Sequence, residues 1–269
     1  MVLALVVSLL AGLATSVGGA LALRGPFPKR SSLAIALAFA AGAMVLISLV
    51  QIIPLGINFM REAGSSERSA FAVVWVSFFV GIGIVLAIDR FLPGSLNPNE
   101  MAGAESDITL ADTRETRHVM RSGLLTAAVL ALHNFPEGMA TFFTTYQDPQ
   151  VGITLAIAIA IHNVPEGIAV AAPIYAATGS KKKAFWWATL SGLTEPLGGV
   201  IAALLVGFVV PPHFFGIFYG IVAGMMVFLA LDELLPGSWR YQTDKHQTVY
   251  GMLGGMAVMA LSLVLFAAG

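Results

Sequence analysis

The sequence predicts an all-α integral membrane protein: eight transmembrane helices in a single domain over 1–269, in a 3+2+3 arrangement with inverted repeats and both termini extracytoplasmic. Three observations carry that expectation. Apolar residues fill 57% of the 269 positions and charged residues only 11%, a balance that a water-soluble core of this size does not need. Nearly all of the charge sits in short segments between long apolar stretches. The basic residues in those segments fall on alternate sides of the chain's crossings, as membrane insertion requires.

A helix rising ~1.5 Å per residue needs ~20 apolar residues to cross a ~30 Å hydrocarbon layer. Stretches meeting that length lie near 1–23, 33–58, 70–92, 121–145, 151–175, 184–210, 213–236 and 248–268. The first reads as a retained span rather than a signal peptide, because no basic region precedes it and Arg24, Lys29 and Arg30 follow it. With the N-terminus outside, these three join Arg90, Arg114, Arg117, Arg121, Lys181, Lys182, Lys183, Arg240 and Lys245 on the cytoplasmic side, leaving Arg61 and Arg68 outside. Twelve against two supports an even number of crossings. The polar stretch 93–120 is then a cytoplasmic loop between the third and fourth helices. A formal charge of −1 gives nucleic acid no footprint, and the absence of cysteine excludes disulfides, thiolate nucleophiles and sulfur-rich metal sites.

Two internal matches appear. His133-Asn134-Phe135-Pro136-Glu137-Gly138 recurs as His162-Asn163-Val164-Pro165-Glu166-Gly167 in the next, oppositely directed helix, identical at five of six positions. Ala41 to Pro54 matches Ala223 to Pro236 at six of fourteen, again on oppositely directed helices. Apolar bias explains a match of the second kind as readily as a true repeat does, but does not explain the first. Together they point to a central helix pair flanked by two related three-helix units.

Ionisable residues at mid-membrane are costly unless they pair, bind an ion or meet water. Glu137, Glu166 and Glu195 all lie there. His133 and Glu137, like His162 and Glu166, are spaced four apart and share a helix face, with Asn134 and Asn163 flanking it. Two antiparallel helices with these faces opposed bring two imidazoles, two carboxylates and two amides together. Pro136, Pro165 and Pro196 each remove a backbone donor, freeing the carbonyls of Leu132, Ile161 and Gly192. In lipid such carbonyls need protein, water or an ion. Imidazole with carboxylate suits zinc and other first-row divalent ions rather than calcium or magnesium, and a carboxylate shared between two ions makes the centre binuclear, with Glu137 and Glu166 as the bridges.

Each residue has a plainer reading. One isolated His–Glu pair is an interhelical hydrogen bond, a reading that duplication in register with Asn and Pro argues against. For Glu195 alone, simply capping a polar interhelical contact is the lesser of its two readings. Gln51, aligned with Glu233, is either an entrance ligand or an ordinary polar helix end. Asp89, Asp232 and Glu233 sit near cytoplasmic helix ends, where a solvated or Arg-paired role is the simpler one, and His118, His213 and His246 are lone boundary or loop histidines.

At the paired motifs the chain resembles the ZIP (Zrt/Irt-like protein) family of metal-ion transporters. The stretch 171–181, the Ser191-Gly192-Leu193 run before Glu195, and Asp232-Glu233-Leu234-Leu235-Pro236 resemble its bacterial ZupT-type branch. The resemblance implies eight helices with both ends outside, uptake of zinc with iron(II) and manganese tolerated, no catalytic cofactor, and dimers. It implies one metal position at His133, Glu137, His162 and Glu166, and a second at Asn134, Glu137, Asn163, Glu166 and Glu195. Gln51 departs from an acidic residue usual in that branch, and the cytoplasmic loop has His118 in place of a histidine-rich run. The alternative from another class is an intramembrane zinc-dependent hydrolase, for which the His-Glu-x-x-His motif is missing.

Overall fold

A computed structural model describes residues 1–24, 30–91, 113–206 and 211–267. Lys29, the loop from 93 to 112, the end of the sixth predicted helix at 207–210 and position 268 lie outside these. The described chain is helical throughout, with no strand. Eight rods follow one another: α1 (Val2–Ala22), α2 (Arg30–Glu62), α3 (Glu67–Phe91), α4 (Thr113–Gln147), α5 (Pro149–Thr178), α6 (Lys181–Leu205), α7 (Pro212–Leu229 continuing through Leu235–Tyr241) and α8 (Gln247–Ala267). Seven are long and apolar enough to cross a membrane. The helix outside that group, α4, carries His133, Asn134, Glu137, Thr141, Thr144 and Thr145 along its buried length. It also starts at Thr113, so 113–120, expected in the loop, are helical.

Local chemistry sets the turns. Asp148 alone separates α4 from α5; its carboxylate accepts from the Gln150 and Val151 amides at 2.9 and 3.1 Å, covering donors the first turn of α5 leaves open. At the far end of α5, Gly179 takes φ +62°, and Ser180 then caps α6 by accepting from the Lys183 amide at 3.3 Å.

Prolines shape the interiors. α2 and α7 each widen into a π turn, Ser48–Ile52 and Ala230–Leu234, shortly before Pro54 and Pro236. Proline lacks an amide donor and crowds the carbonyl four residues back, and one extra residue per turn moves that carbonyl aside. The two π turns occupy aligned positions of the 41–54 and 223–236 match, Ser48 opposite Ala230. In α6 the helix breaks at Leu193 just ahead of Pro196.

The helices pack in two groups. α1, α4, α5 and α6 surround the polar centre; α2, α3, α7 and α8 form the second group, which meets the first mainly through α2 against α5. Close approach within each group depends on glycine. A Cβ on Gly42 of α2 would strike the Met252 carbonyl of α8, and one on Gly224 of α7 would strike the Phe78 carbonyl of α3. Tyr219, fully buried on α7, ties the groups together: its hydroxyl shares a 2.7 Å hydrogen bond with Thr144 of α4 and donates to the Ala140 carbonyl at 3.2 Å. Tyr219→Phe is expected to lower stability by about 1 kcal/mol, measured as a lower melting temperature in detergent.

Candidate metal centre

All seven residues singled out from the sequence lie in the first helix group and are buried to within 1% of complete: His133, Asn134 and Glu137 on α4, His162, Asn163 and Glu166 on α5, and Glu195 on α6. The two motifs face each other across antiparallel helices, and their shortest His–Glu contacts cross from one helix to the other. His133 Nε2 lies 3.1 Å from Glu166 Oε1, and His162 Nε2 lies 3.5 Å from Glu137 Oε2, while the same-helix distance from His162 to Glu166 is 4.0 Å. The four-residue spacing thus aims each pair at its opposite number. Asn163 Nδ2 donates to Glu195 Oε2 at 2.7 Å and to the Ala11 carbonyl at 3.0 Å, while Asn134 Nδ2 donates to the Ser191 carbonyl at 3.4 Å.

Carbonyl-on-glycine contacts hold these elements in register. The glycine ending each motif has no room for a side chain: Gly138 seats against the Glu195 carbonyl of α6, and Gly167 against the Thr15 carbonyl of α1. This brings the backbone of α6 close enough for Glu195 to reach Asn163. Pro136 and Pro165 sit inside continuous helices immediately before the glutamates.

The centre is rich in unused acceptors. Both oxygens of Glu137, Oε2 of Glu166, Oε1 of Glu195, and the amide oxygens of Asn134 and Asn163 are buried without a hydrogen-bond partner. Buried carboxylates left unpaired cost several kcal/mol each, so a cluster of three facing open acceptors calls for cations. Among the described residues, no three histidine or carboxylate side chains already surround one point as they would a bound ion.

The other candidates separate from this centre. Gln51, with Oε1 buried and unpartnered, lines a cavity of about 410 Å³ with Val50, Asp148, Gln150, Val151, Thr154 and Leu263, between the π turn of α2, the start of α5 and α8. Asp232 and Glu233 sit in the π turn of α7. His213 and His246 are exposed; the side chains of Asp89 and His118 lie outside the described set.

One element near the centre escaped the sequence reading. α1 carries Leu10, Gly12, Leu13, Gly18 and Gly19 in the same order and spacing as Leu190, Gly192, Leu193, Gly198 and Gly199 of α6. Aligning the first and sixth helices reveals it.

Comparison with known proteins follows the same lines. The family described as ZIP zinc transporter matches residues 97–263. A zinc transporter ZupT of Corynebacterium aurimucosum is 46% identical over 96% of this chain and 95% of its own length. Proteins of the same description from Stenotrophomonas maltophilia and Streptococcus mutans are 45% and 42% identical, each covering 98% of this chain and 96% and 97% of their own. Near-complete coverage on both sides, with seven helices long and apolar enough to cross a membrane among the described residues, makes this chain a multi-pass membrane protein belonging to the ZIP zinc transporter family, a family of transporters rather than enzymes.

Proposed function

We propose that this chain carries zinc, and with it iron(II) and manganese, into the cytoplasm through a binuclear site between α4, α5 and α6. The observation that carries the reading is the burial, in one cluster of crossed His–Glu pairs, of three carboxylates whose oxygens are largely unpartnered. His133, Glu137, His162 and Glu166 hold one ion; Asn134, Glu137, Asn163, Glu166 and Glu195 hold the other, with Glu137 and Glu166 shared. A hydrated ion sheds water against these oxygens and nitrogens as its charge replaces the mutual His–Glu bonds. Two charges falling through 100 mV gain ~4.6 kcal/mol, a drive that favours import.

The matched π turns of α2 and α7, and the glycine contacts repeated between α2–α8 and α7–α3, support a 3+2+3 arrangement of inverted repeats. Charge sorting supports both termini outside. Large apolar side chains exposed along α1, α3 and α8, such as Leu10, Val76, Phe79, Leu261 and Val264, suit contact with lipid or with a second copy in a homodimer.

The test is uptake of labelled zinc by the purified protein in proteoliposomes, with iron(II) and manganese as competitors and an inside-negative potential imposed. Saturable uptake that each competitor suppresses and the potential accelerates is expected. Zinc-dependent cleavage of a membrane substrate without metal flux would overturn the reading in favour of a hydrolase.

A further inference from the structure

α1 and α6 make the same contacts on opposite sides of the α4–α5 pair. Gly18 of α1 seats on the Val164 carbonyl, as Gly198 of α6 seats on that of Phe135. Gly12 and Gly192 each seat on the other's carbonyl, Gly12 beside Glu195 and Gly192 beside Thr15. The Ala11 carbonyl accepts from Asn163 and the Ser191 carbonyl from Asn134, at 3.0 and 3.4 Å. The carbonyls of Thr15 and Glu195 receive Gly167 and Gly138. Every contact pairs residues at one constant offset, and that offset matches Thr15 with Glu195. Glu195 reaches into the centre from α6, one turn beyond Ser191; Thr15 stands in the corresponding place on α1, one turn beyond Ala11.

Thr15, like Ser16, Thr141, Thr189 and Ser191, has a buried hydroxyl without a hydrogen-bond partner, and among these it is the one that the matched contacts set opposite Glu195. Ser48, Ser77, Thr144, Thr145, Thr154 and Thr178 all turn their hydroxyls back to the carbonyl four residues earlier, at 2.7 to 3.0 Å, the usual satisfaction of a hydroxyl within a membrane helix. Thr15 is completely buried and its Oγ1 has no partner. The carbonyl it would use, that of Ala11, is bonded by Asn163. A dry, unpartnered hydroxyl costs free energy unless something else meets it.

We propose that Thr15 is a metal-site residue, the counterpart of Glu195, and that its hydroxyl oxygen contacts the second divalent cation or that cation's water on the face opposite Glu195. This rests on the binuclear reading above. It makes the site unequal by design: a carboxylate grips the ion from α6, and a neutral oxygen from α1. Under the charge-sorted topology, α1 runs inward and α6 outward, so Glu195 stands on the outer half of the site and Thr15 on the inner half. The ion meets the strong ligand on arrival and the weak one on departure.

The experiment counts zinc bound to the purified full-length protein by equilibrium dialysis. Wild type is expected to bind two ions, Glu195→Gln one, and the double variant Thr15→Asp with Glu195→Gln two again, because the carboxylate has moved to the matching place. Wild type binding one ion sinks the binuclear reading itself. Two ions for wild type, one for Glu195→Gln and one for a folded double variant overturn the role of Thr15 alone. If the double variant does not fold, Thr15→Val and Thr15→Ser decide. The hydroxyl-free, equal-sized Thr15→Val should weaken the second zinc about tenfold at unchanged melting temperature, with Thr15→Ser at the wild-type value; equal affinity in both variants overturns the proposal.

Discussion

Glu137→Ala is expected to reduce zinc uptake into proteoliposomes at least ~100-fold, which corresponds to about 2.7 kcal/mol. No other substitution short of unfolding should cost more, except its counterpart at Glu166. Glu137 is completely buried, faces His162 at 3.5 Å, and has both carboxylate oxygens without a hydrogen-bond partner. As a shared ligand its loss would remove a bond from each ion and a negative charge from a cluster that offsets two divalent cations. Coulombic attraction is strongest where water is excluded, so no distant charge compensates. Glu67, exposed at the start of α3, provides the control, and Glu67→Ala should transport as wild type. Uptake by Glu137→Ala at the wild-type rate would overturn the shared-ligand role.

Gly138→Val should have the largest effect on folding. The added Cβ would fall on the Glu195 backbone carbonyl, which is held in a helix and cannot swing away as a flexible side chain would. Overpacking of this kind costs ~1–3 kcal/mol or more, and relief by separating α4 from α6 would carry Glu195 away from Asn163 and Glu137. Thermal melting in detergent should show a clear drop, and zinc binding should fall with it. Gly167→Val, placed against the Thr15 carbonyl, should behave alike. Gly83→Val in α3, where a Cβ meets nothing within 4 Å, should melt as wild type. Equal melting for the three variants would show that the close approach carries no stability.

These two residues also show what was legible beforehand. Glu137 stood out because a carboxylate in an apolar run is expensive, and because a second copy of its motif lies in the next helix. Gly138 belonged to the same motif, yet its role was hidden, since a glycine in a membrane helix looks alike whether it faces lipid or a carbonyl. The cross-helix pairing of His133 with Glu166 was hidden for a similar reason: spacing puts His133 and Glu137 on one face but says nothing about which carboxylate of the facing helix comes nearest. Thr15 gave no signal as a residue, because a threonine is ordinary in a membrane helix. Its place emerges from the contacts that pair α1 with α6.

Hydropathy and the duplicated His-Asn-x-Pro-Glu-Gly motif determined the apolar helices and the family, because the first follows from local composition against a bilayer of known thickness and the second from a motif that apolar bias does not produce. The start of α4 at Thr113, the break at Leu193, the paired π turns and the crossed His–Glu bonds were decided by tertiary structure. Those features depend on which helix lies against which, and on carbonyls and glycines meeting at distances that no spacing along one chain encodes.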